Sequence, residues 1–298
     1  MKAGTTALAD FLDQHPEICI AVPKQSGYFA SDLMQESDTF HQGRVYFKTR
    51  SLDDYEKLYA PGSEALLRGD ASTAYIYSRE AAHNIYQYNP KAKIIILIRK
   101  PADFCHALHR QYLNETVEDE QDFEKALALE EERKQGRSIP KRVRVPSYLY
   151  YSERIKYYRQ VKRYLDIFPR YQVLILLHEE FQNNNSEVFH QVLRFIEVRD
   201  TGFISVFDSV NVSGEPRLSW LHNRIHYSPF KNMLYKLLGG RLYTWFHKTL
   251  SSLLIRKSPR DELSTATRKR LNSQAELELG LLSEVLGVDL VKKWANDD

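Results

Sequence analysis

Ile94-Ile95-Ile96-Leu97-Ile98 is an unbroken aliphatic run between Lys93 and Arg99. A strand with one wet face alternates apolar and polar side chains, so a continuous run of this length fits a strand covered on both faces, as in a parallel sheet. Parallel neighbours require a crossover, usually a helix, and the flanking sequence supplies several. Ala81, Ala82, Ile85 and Tyr86 mark a helix that stops at Asn89-Pro90, and Lys91 to Ile98 then reads as the buried strand. Pro101 suits the first turn of the next helix, whose Cys105, Leu108 and Tyr112 share one face. Tyr157 to Phe168 gives a further helix, ended by Pro169, before the apolar strand Val173 to Leu177 and a helix around Val188, Val192, Leu193 and Phe195. With the short apolar run Ile18 to Val22, this alternation predicts a layered α/β domain with a mainly parallel sheet.

Near the start, Thr5 or Thr6 caps a helix in which Leu8, Phe11 and Leu12 repeat at helical spacing and His15-Pro16 closes the pattern. That amphipathic pattern begins too early for a secretory leader. Between 114 and 147 the pattern weakens to an acidic helix, Glu115 to Glu132, and a basic loop with Arg133, Lys134, Arg137, Lys141, Arg142 and Arg144. We read this stretch as an insertion on the sheet. The tail, 217–298, reads as helical, and its segment Met233 to Ile255 is amphipathic enough to pack on the domain or on a second copy in a homo-oligomer. Residues 1–298 are expected to form a single domain.

The 298 residues carry 42 Lys+Arg against 39 Asp+Glu, a net charge of +3, and 43% are apolar. Such a chain folds, and its near-neutral charge argues against a dedicated nucleic-acid binder. Its apolar runs fall far short of the roughly 20 residues that cross a bilayer, so no transmembrane segment is expected. Two cysteines, Cys19 and Cys105, give neither a disulfide framework nor a metal-ligand spacing, and a reducing cytoplasm is the expected location.

Two places carry candidate chemistry. Lys2-Ala3-Gly4-Thr5-Thr6 puts an ammonium, a glycine turn and two hydroxyls at a helix start, where free backbone N–H groups and the helix dipole favour an anion. A simple capping turn is the competing reading. The spacing GxxxxGK[ST] is absent and no strand-end aspartate is placed to hold Mg²⁺, which disfavours a kinase or ATPase. Arg99 directly follows the apolar strand, at the carboxyl end where open α/β sheets gather ligands, and it could hold a second phosphate bidentately. Its plain alternative is a helix-start arginine paired with a surface carboxylate.

Taken together, Lys2 to Leu8, His15-Pro16 and Lys24 to Phe29 resemble the opening of the sulfotransferase family that uses 3′-phosphoadenosine 5′-phosphosulfate (PAPS), with bacterial and heparan-type members nearest. Gly69-Asp70-Ala71-Ser72 resembles its second motif and Ile98 to Asp103 its 3′-phosphate motif. The likeness continues through Leu177 to Phe181, Asn211 to Arg217 and the closing Asp289-Leu290 with Trp294. The resemblance implies a three-layer P-loop-like α/β fold, with a central, mainly parallel sheet flanked by helices. It implies that Lys2, Ala3, Gly4, Thr5 and Thr6 hold the 5′-phosphosulfate, that Arg99 holds the 3′-phosphate, and that Arg217 lies on a loop closing over the nucleotide. Lys2 would also be catalytic, and no metal would be required. The implied reaction moves a sulfuryl group from PAPS to a hydroxyl or amine of an acceptor, a glycan or a small molecule. A weak or inactive relative that binds PAPS or its product 3′-phosphoadenosine 5′-phosphate, or a phosphotransferase, are the alternatives.

Three departures from the family pattern stand out. The strand that leads into the glycine turn is missing ahead of Met1, and we expect this start to be a truncation. Gln25 stands where heparan-type relatives have the glutamate that takes the acceptor's proton; Asp70, His15, His83, His106 and His109 are candidate substitutes, each also readable as structural. Ala107 replaces a serine of the 3′-phosphate motif, at the loss of one hydrogen bond.

Overall fold

The computed structural model describes residues 3–62, 64–199 and 263–295, together with the backbone of 215–216 and 255–256. The chain falls into two compact units, Met1–Phe207 with Leu263–Asp298, and Asp208–Glu262.

In the first unit, helix α1 (Thr5–Leu12) precedes strand β1 (Ile18–Ile20), helices α2 (Ser31–His41) and α3 (Leu52–Glu56), and strand β2 (Leu67–Gly69). Helix α4 (Ala81–Tyr88), strand β3 (Ile94–Ile98) and helix α5 (Pro101–Asn114) follow, then α6 (Phe123–Ala128), α7 (Glu130–Lys134), α8 (Tyr151–Arg154) and α9 (Tyr157–Leu165). Strand β4 (Val173–Leu177) leads into α10 (His178–Asn183) and α11 (Asn185–Phe195). The second unit has β5 (Glu215–Pro216) antiparallel to β6 (Ile255–Arg256), and the chain then returns to the first unit with α12 (Thr265–Leu286) and α13 (Leu290–Ala295). Among the described helices none is long and apolar enough to cross a membrane. The segment Met233 to Ile255 lies outside the described residues apart from the backbone of Ile255.

The expected strands pair in parallel, the first of them, which ends at Ile20 rather than Val22, with β2, a strand that the sequence pattern did not mark. β1 pairs with β2 from Ile18 opposite Leu67, and β3 pairs with β4 from Ile94 opposite Val173. They form two separate two-stranded pairs rather than one continuous sheet among the described residues. Successive strand side chains point to opposite faces, and they enter two different apolar clusters. Cys19, Ile96, Ile98 and Leu177 join one, with Ala81 and Ile85 of α4, Cys105 and Leu108 of α5, Val161 of α9 and Leu271, Leu279 and Leu282 of α12. Ile18, Ile20 and Leu176 join the other, with Leu8 and Phe11 of α1, Phe181 of α10 and Val192 of α11. Both strand pairs contribute to both clusters.

Five local expectations change. The strand begins at Ile94 rather than Lys91, because Gln172 donates from Nε2 to the carbonyls of Pro90 and Ala92, 2.9 Å each, and holds that approach outside the ladder. Only Ile96 and Ile98 of β3 are fully buried; the other three are half-buried. Neither Thr5 nor Thr6 caps α1; Gly4 is the N-cap, in the left-handed conformation at φ 94°.

The acidic helix predicted over Glu115 to Glu132 is replaced by a turn and two short helices. Glu118 Oε1 accepts from the N–H groups of Asp119 and Glu120, and Asp122 Oδ1 from those of Glu124 and Lys125, so these side chains draw the backbone donors into local turns and a cap. Arg133, assigned to the basic loop, lies in α7 and is fully buried. It grips Glu118 with two parallel bonds of 2.8 and 2.7 Å, to which Tyr151 adds a third at 3.0 Å. Burial pushes the Glu118 carboxyl up, but the bonds and charge of Arg133 outweigh it and leave it below its ordinary range.

Candidate functional site

Gly4 forms the turn into α1. A side chain there would begin 2.9 Å from Phe181 Cδ1 and 3.4 Å from His178 Nδ1, and φ 94° disfavours any L residue. The glycine therefore lets the chain pass tightly over the start of α10. The first N–H groups of α1 have no partner within the helix, and Thr5 Oγ1 beside them is buried without a hydrogen-bond partner. His178 Nδ1 is likewise buried and unpartnered. Burial lowers the imidazole's proton affinity and the positive charge of Arg99 lowers it further, against a hydrogen bond of the ring with the Ala3 backbone, which raises it.

His178 thus joins the two predicted anion contacts: it touches the Gly4 turn, and the charge of Arg99 reaches it. The geometry follows from the strand pairing. Ile98 and Leu177 are paired at the ends of parallel β3 and β4, so the next residues, Arg99 and His178, emerge side by side. Tyr157 donates to the Arg99 carbonyl at 2.9 Å, and the Lys100 N–H donates to Glu179 Oε1 at 3.3 Å, fixing the turn into α5. Glu179 Oε2 is buried without a partner, a negative group that an anionic ligand must be screened from. Ala3 is buried, and Thr6 and Ala107 are half-buried. Lys2 and Arg217 lie outside the described residues.

A second group forms beyond β1 and β2. Gln25 is exposed in the loop after β1, next to Lys24, which pairs with Asp10 of α1. Asp70 underlies this loop. Its Oδ2 accepts from Ser26 Oγ and Tyr75 OH, both at 2.6 Å, and its Oδ1 from Ser72 Oγ at 2.6 Å and Ser72 N–H at 3.0 Å. Ser72 Oγ in turn accepts from the Gly27 N–H at 2.9 Å, and the Ala71 N–H donates to the Lys24 carbonyl at 3.0 Å. Four donors occupy the carboxylate's lone-pair positions, so Asp70 holds the loop in place.

Of the histidine substitutes for a base, His15 and His109 find structural employment. His15 is buried with Nε2 against the Arg199 carbonyl and Nδ1 accepting from the Glu17 N–H. His109 is buried with Nε2 2.8 Å from the Glu120 carbonyl, and burial lowers its proton affinity. His106 packs its ring 5.4 Å from Phe123, and His83 is exposed on α4. The histidine beside the Gly4 turn, His178, was legible by its position after an apolar strand, the same signal that marks Arg99, and by the likeness of Leu177 to Phe181 to the family.

Residues 1–205 match the family model described as the sulfotransferase domain. The chain belongs to that family. Among its relatives, human bifunctional heparan sulfate N-deacetylase/N-sulfotransferase 3 is 25% identical over 202 residues, 66% of this chain and 21% of that protein. The corresponding enzyme 1 of Xenopus laevis is 26% identical over 202 residues, with the same coverage. The chain spans about a fifth of the length of these curated relatives. The crystal structure of a sulfotransferase from Alicyclobacillus acidocaldarius superposes with a TM-score of 0.66, covering 99% of this chain and 95% of that one at 23% identity, a likeness of fold. The sulfotransferase-domain match includes the Gly4 turn, Gln25, Asp70, Arg99 and His178, and leaves Arg217 outside it.

Proposed function

We propose that this sulfotransferase-family chain moves a sulfuryl group from PAPS to a hydroxyl or amine of an acceptor. The observation that supports the reading is His178 close to the Gly4 turn and under the charge of Arg99, in keeping with two anion contacts at one end of the β3–β4 pair. A nucleotide with a phosphate at each end matches that pair of elements. The orphaned hydroxyl of Thr5 and the free N–H groups of α1 fit the 5′ end. Ala3, Gly4, Thr5 and Thr6 hold that end in this reading, Arg99 holds the 3′-phosphate, and Lys2 and Arg217 add cationic contacts. The frame is a three-layer P-loop-like fold over 1–298, supported by the two helical clusters that receive alternate side chains of both strand pairs.

In sulfuryl transfer the acceptor atom attacks sulfur in line while negative charge grows on the bridging oxygen of the departing phosphate. The Lys2 ammonium and the N–H groups of α1 oppose that charge. Proton removal from the acceptor is the weak step, because Gln25 has no basic oxygen and Asp70 is committed to four donors. Those two residues favour a second reading, a slow or inactive PAPS-binding relative. An amine acceptor is in keeping with the N-sulfotransferase named in the relatives, and a reducing compartment with two buried free cysteines.

Calorimetry with 3′-phosphoadenosine 5′-phosphate, followed by transfer of radiolabelled sulfate to pooled hydroxyl and amine acceptors, tests the proposal. Binding with transfer that Lys2→Ala abolishes supports it. Binding without transfer favours the inactive relative, and no binding removes both.

A further inference from the structure

Arg99 and Lys100 share one peptide unit, and a side chain from a distant element takes each of its polar ends. The Arg99 carbonyl accepts from the Tyr157 hydroxyl of α9 at 2.9 Å, and the Lys100 N–H donates to Glu179 Oε1 of α10 at 3.3 Å. A peptide unit is planar, so holding both ends fixes its plane, and with it the ψ of Arg99 and the φ of Lys100. The turn is held beyond that plane as well. The Lys100 carbonyl accepts from the Phe104 N–H at 2.8 Å, and Asp103, in the first turn of α5, pairs with Arg268 of α12 at 2.9 Å.

Arg99 lies one residue past the register that ties β3 to β4, which ends with Ile98 opposite Leu177. The rotamers open to a side chain depend on its backbone angles, and a bidentate guanidinium–phosphate contact needs a fixed direction. Tyr157 is buried, and its ring meets that of Phe104 edge to face with centroids 6.1 Å apart. A phenylalanine would keep that packing. What the hydroxyl adds is the bond to Arg99.

We infer that Tyr157 is a positioning residue for the donor's 3′-phosphate, an inference that rests on the PAPS reading and on Arg99 as the 3′-phosphate contact. By holding the Arg99 carbonyl, its hydroxyl aims the guanidinium. It thereby sets the preference for a nucleotide phosphorylated at both ends over one phosphorylated at the 5′ end alone. Glu179 holds the other end of the same peptide.

Calorimetry of the full chain with 3′-phosphoadenosine 5′-phosphate and with adenosine 5′-phosphate reads that preference as a ratio of two affinities. Tyr157→Phe is expected to weaken the first about tenfold and to leave the second within about twofold. A purely structural loss would lower both alike, and that result, or no change in either, overturns the inference. Arg99→Met separates it from the reading beneath it. If that variant collapses the ratio while Tyr157→Phe spares it, the inference alone falls. If Arg99→Met leaves the ratio intact, or the wild type binds neither nucleotide, Arg99 does not hold a 3′-phosphate and the inference falls together with that assignment. Should Tyr157→Phe fail to fold, crystals of the wild type with 3′-phosphoadenosine 5′-phosphate decide. Arg99 on the 3′-phosphate with the Tyr157 bond kept is the expected result, and a bond broken in the complex overturns it.

Discussion

The turn between α5 and α6 and the turn into α1 both concentrate polar groups, and they treat them in opposite ways. Around Glu118, every strong donor and acceptor is matched: Arg133 is bidentate, Tyr151 adds its hydroxyl, and two backbone N–H groups complete the carboxylate. Around Gly4, Thr5 Oγ1, His178 Nδ1 and Glu179 Oε2 are buried with no partner. Buried polar atoms left unmatched cost stability, and a fold retains them where something else supplies the bond. A saturated network is thus the signature of a lock and an unsaturated one of a binding site, even though both are rich in charge.

Four perturbations bear on this contrast. The largest belongs to the open loop after β1: Gln25→Glu is expected to raise the sulfate-transfer rate by about 10²–10⁴-fold if proton removal limits turnover, read in the radiolabel assay. An unchanged rate would mean that another step limits. Next, Arg133→Met should lower stability by about 3–5 kcal/mol, because it strands a buried carboxylate, seen as a large fall in denaturation midpoint; a shift of a degree or less would show the lock to be ornamental. Thr5→Val separates the two regions most sharply. It should leave the melting temperature of the free protein unchanged or slightly higher while weakening 3′-phosphoadenosine 5′-phosphate about tenfold. A variant that loses stability without losing affinity would make Thr5 structural.

The smallest effect is in pH. His109 and His178 both hold protons less tightly when folded than the ordinary value of 6.5, in each case chiefly through burial. Above that value neither state carries the proton and stability is unaffected. As pH falls below it, the unfolded chain takes up protons that the folded chain resists, so stability declines toward acid. His109→Gln should flatten part of that decline between pH 6.5 and 5 in chemical denaturation; an identical slope would place the effect elsewhere.

The apolar runs, the helix ends at Asn89-Pro90 and Pro101, and the placement of Arg99 after a strand were legible because they depend on neighbours in sequence: periodicity, a rigid ring, a missing N–H. Gly4 was legible as a turn but not as the N-cap that spares Phe181 a collision, since Phe181 is distant in the chain. The stretch after Asn114 misled by composition. Its glutamates suit a helix individually, yet Glu118 bonds its own backbone and a guanidinium 15 residues away. Asp70 carried the signal of a possible base, and only its four donors, two of them from Ser26 and Tyr75, show where its lone pairs go.

The sequence by itself determined the strands Ile94–Ile98 and Val173–Leu177, the helices beside them and the place of Arg99 at a strand end, because those are properties of local backbone preference and short-range pattern. The tertiary structure alone decided that β3 and β4 are neighbours, and hence that Arg99 and His178 emerge together beside the Gly4 turn. It likewise decided which buried polar atoms are answered. Hydrogen bonds between distant residues depend on angstrom-scale placement in three dimensions, and no periodicity along the chain encodes it.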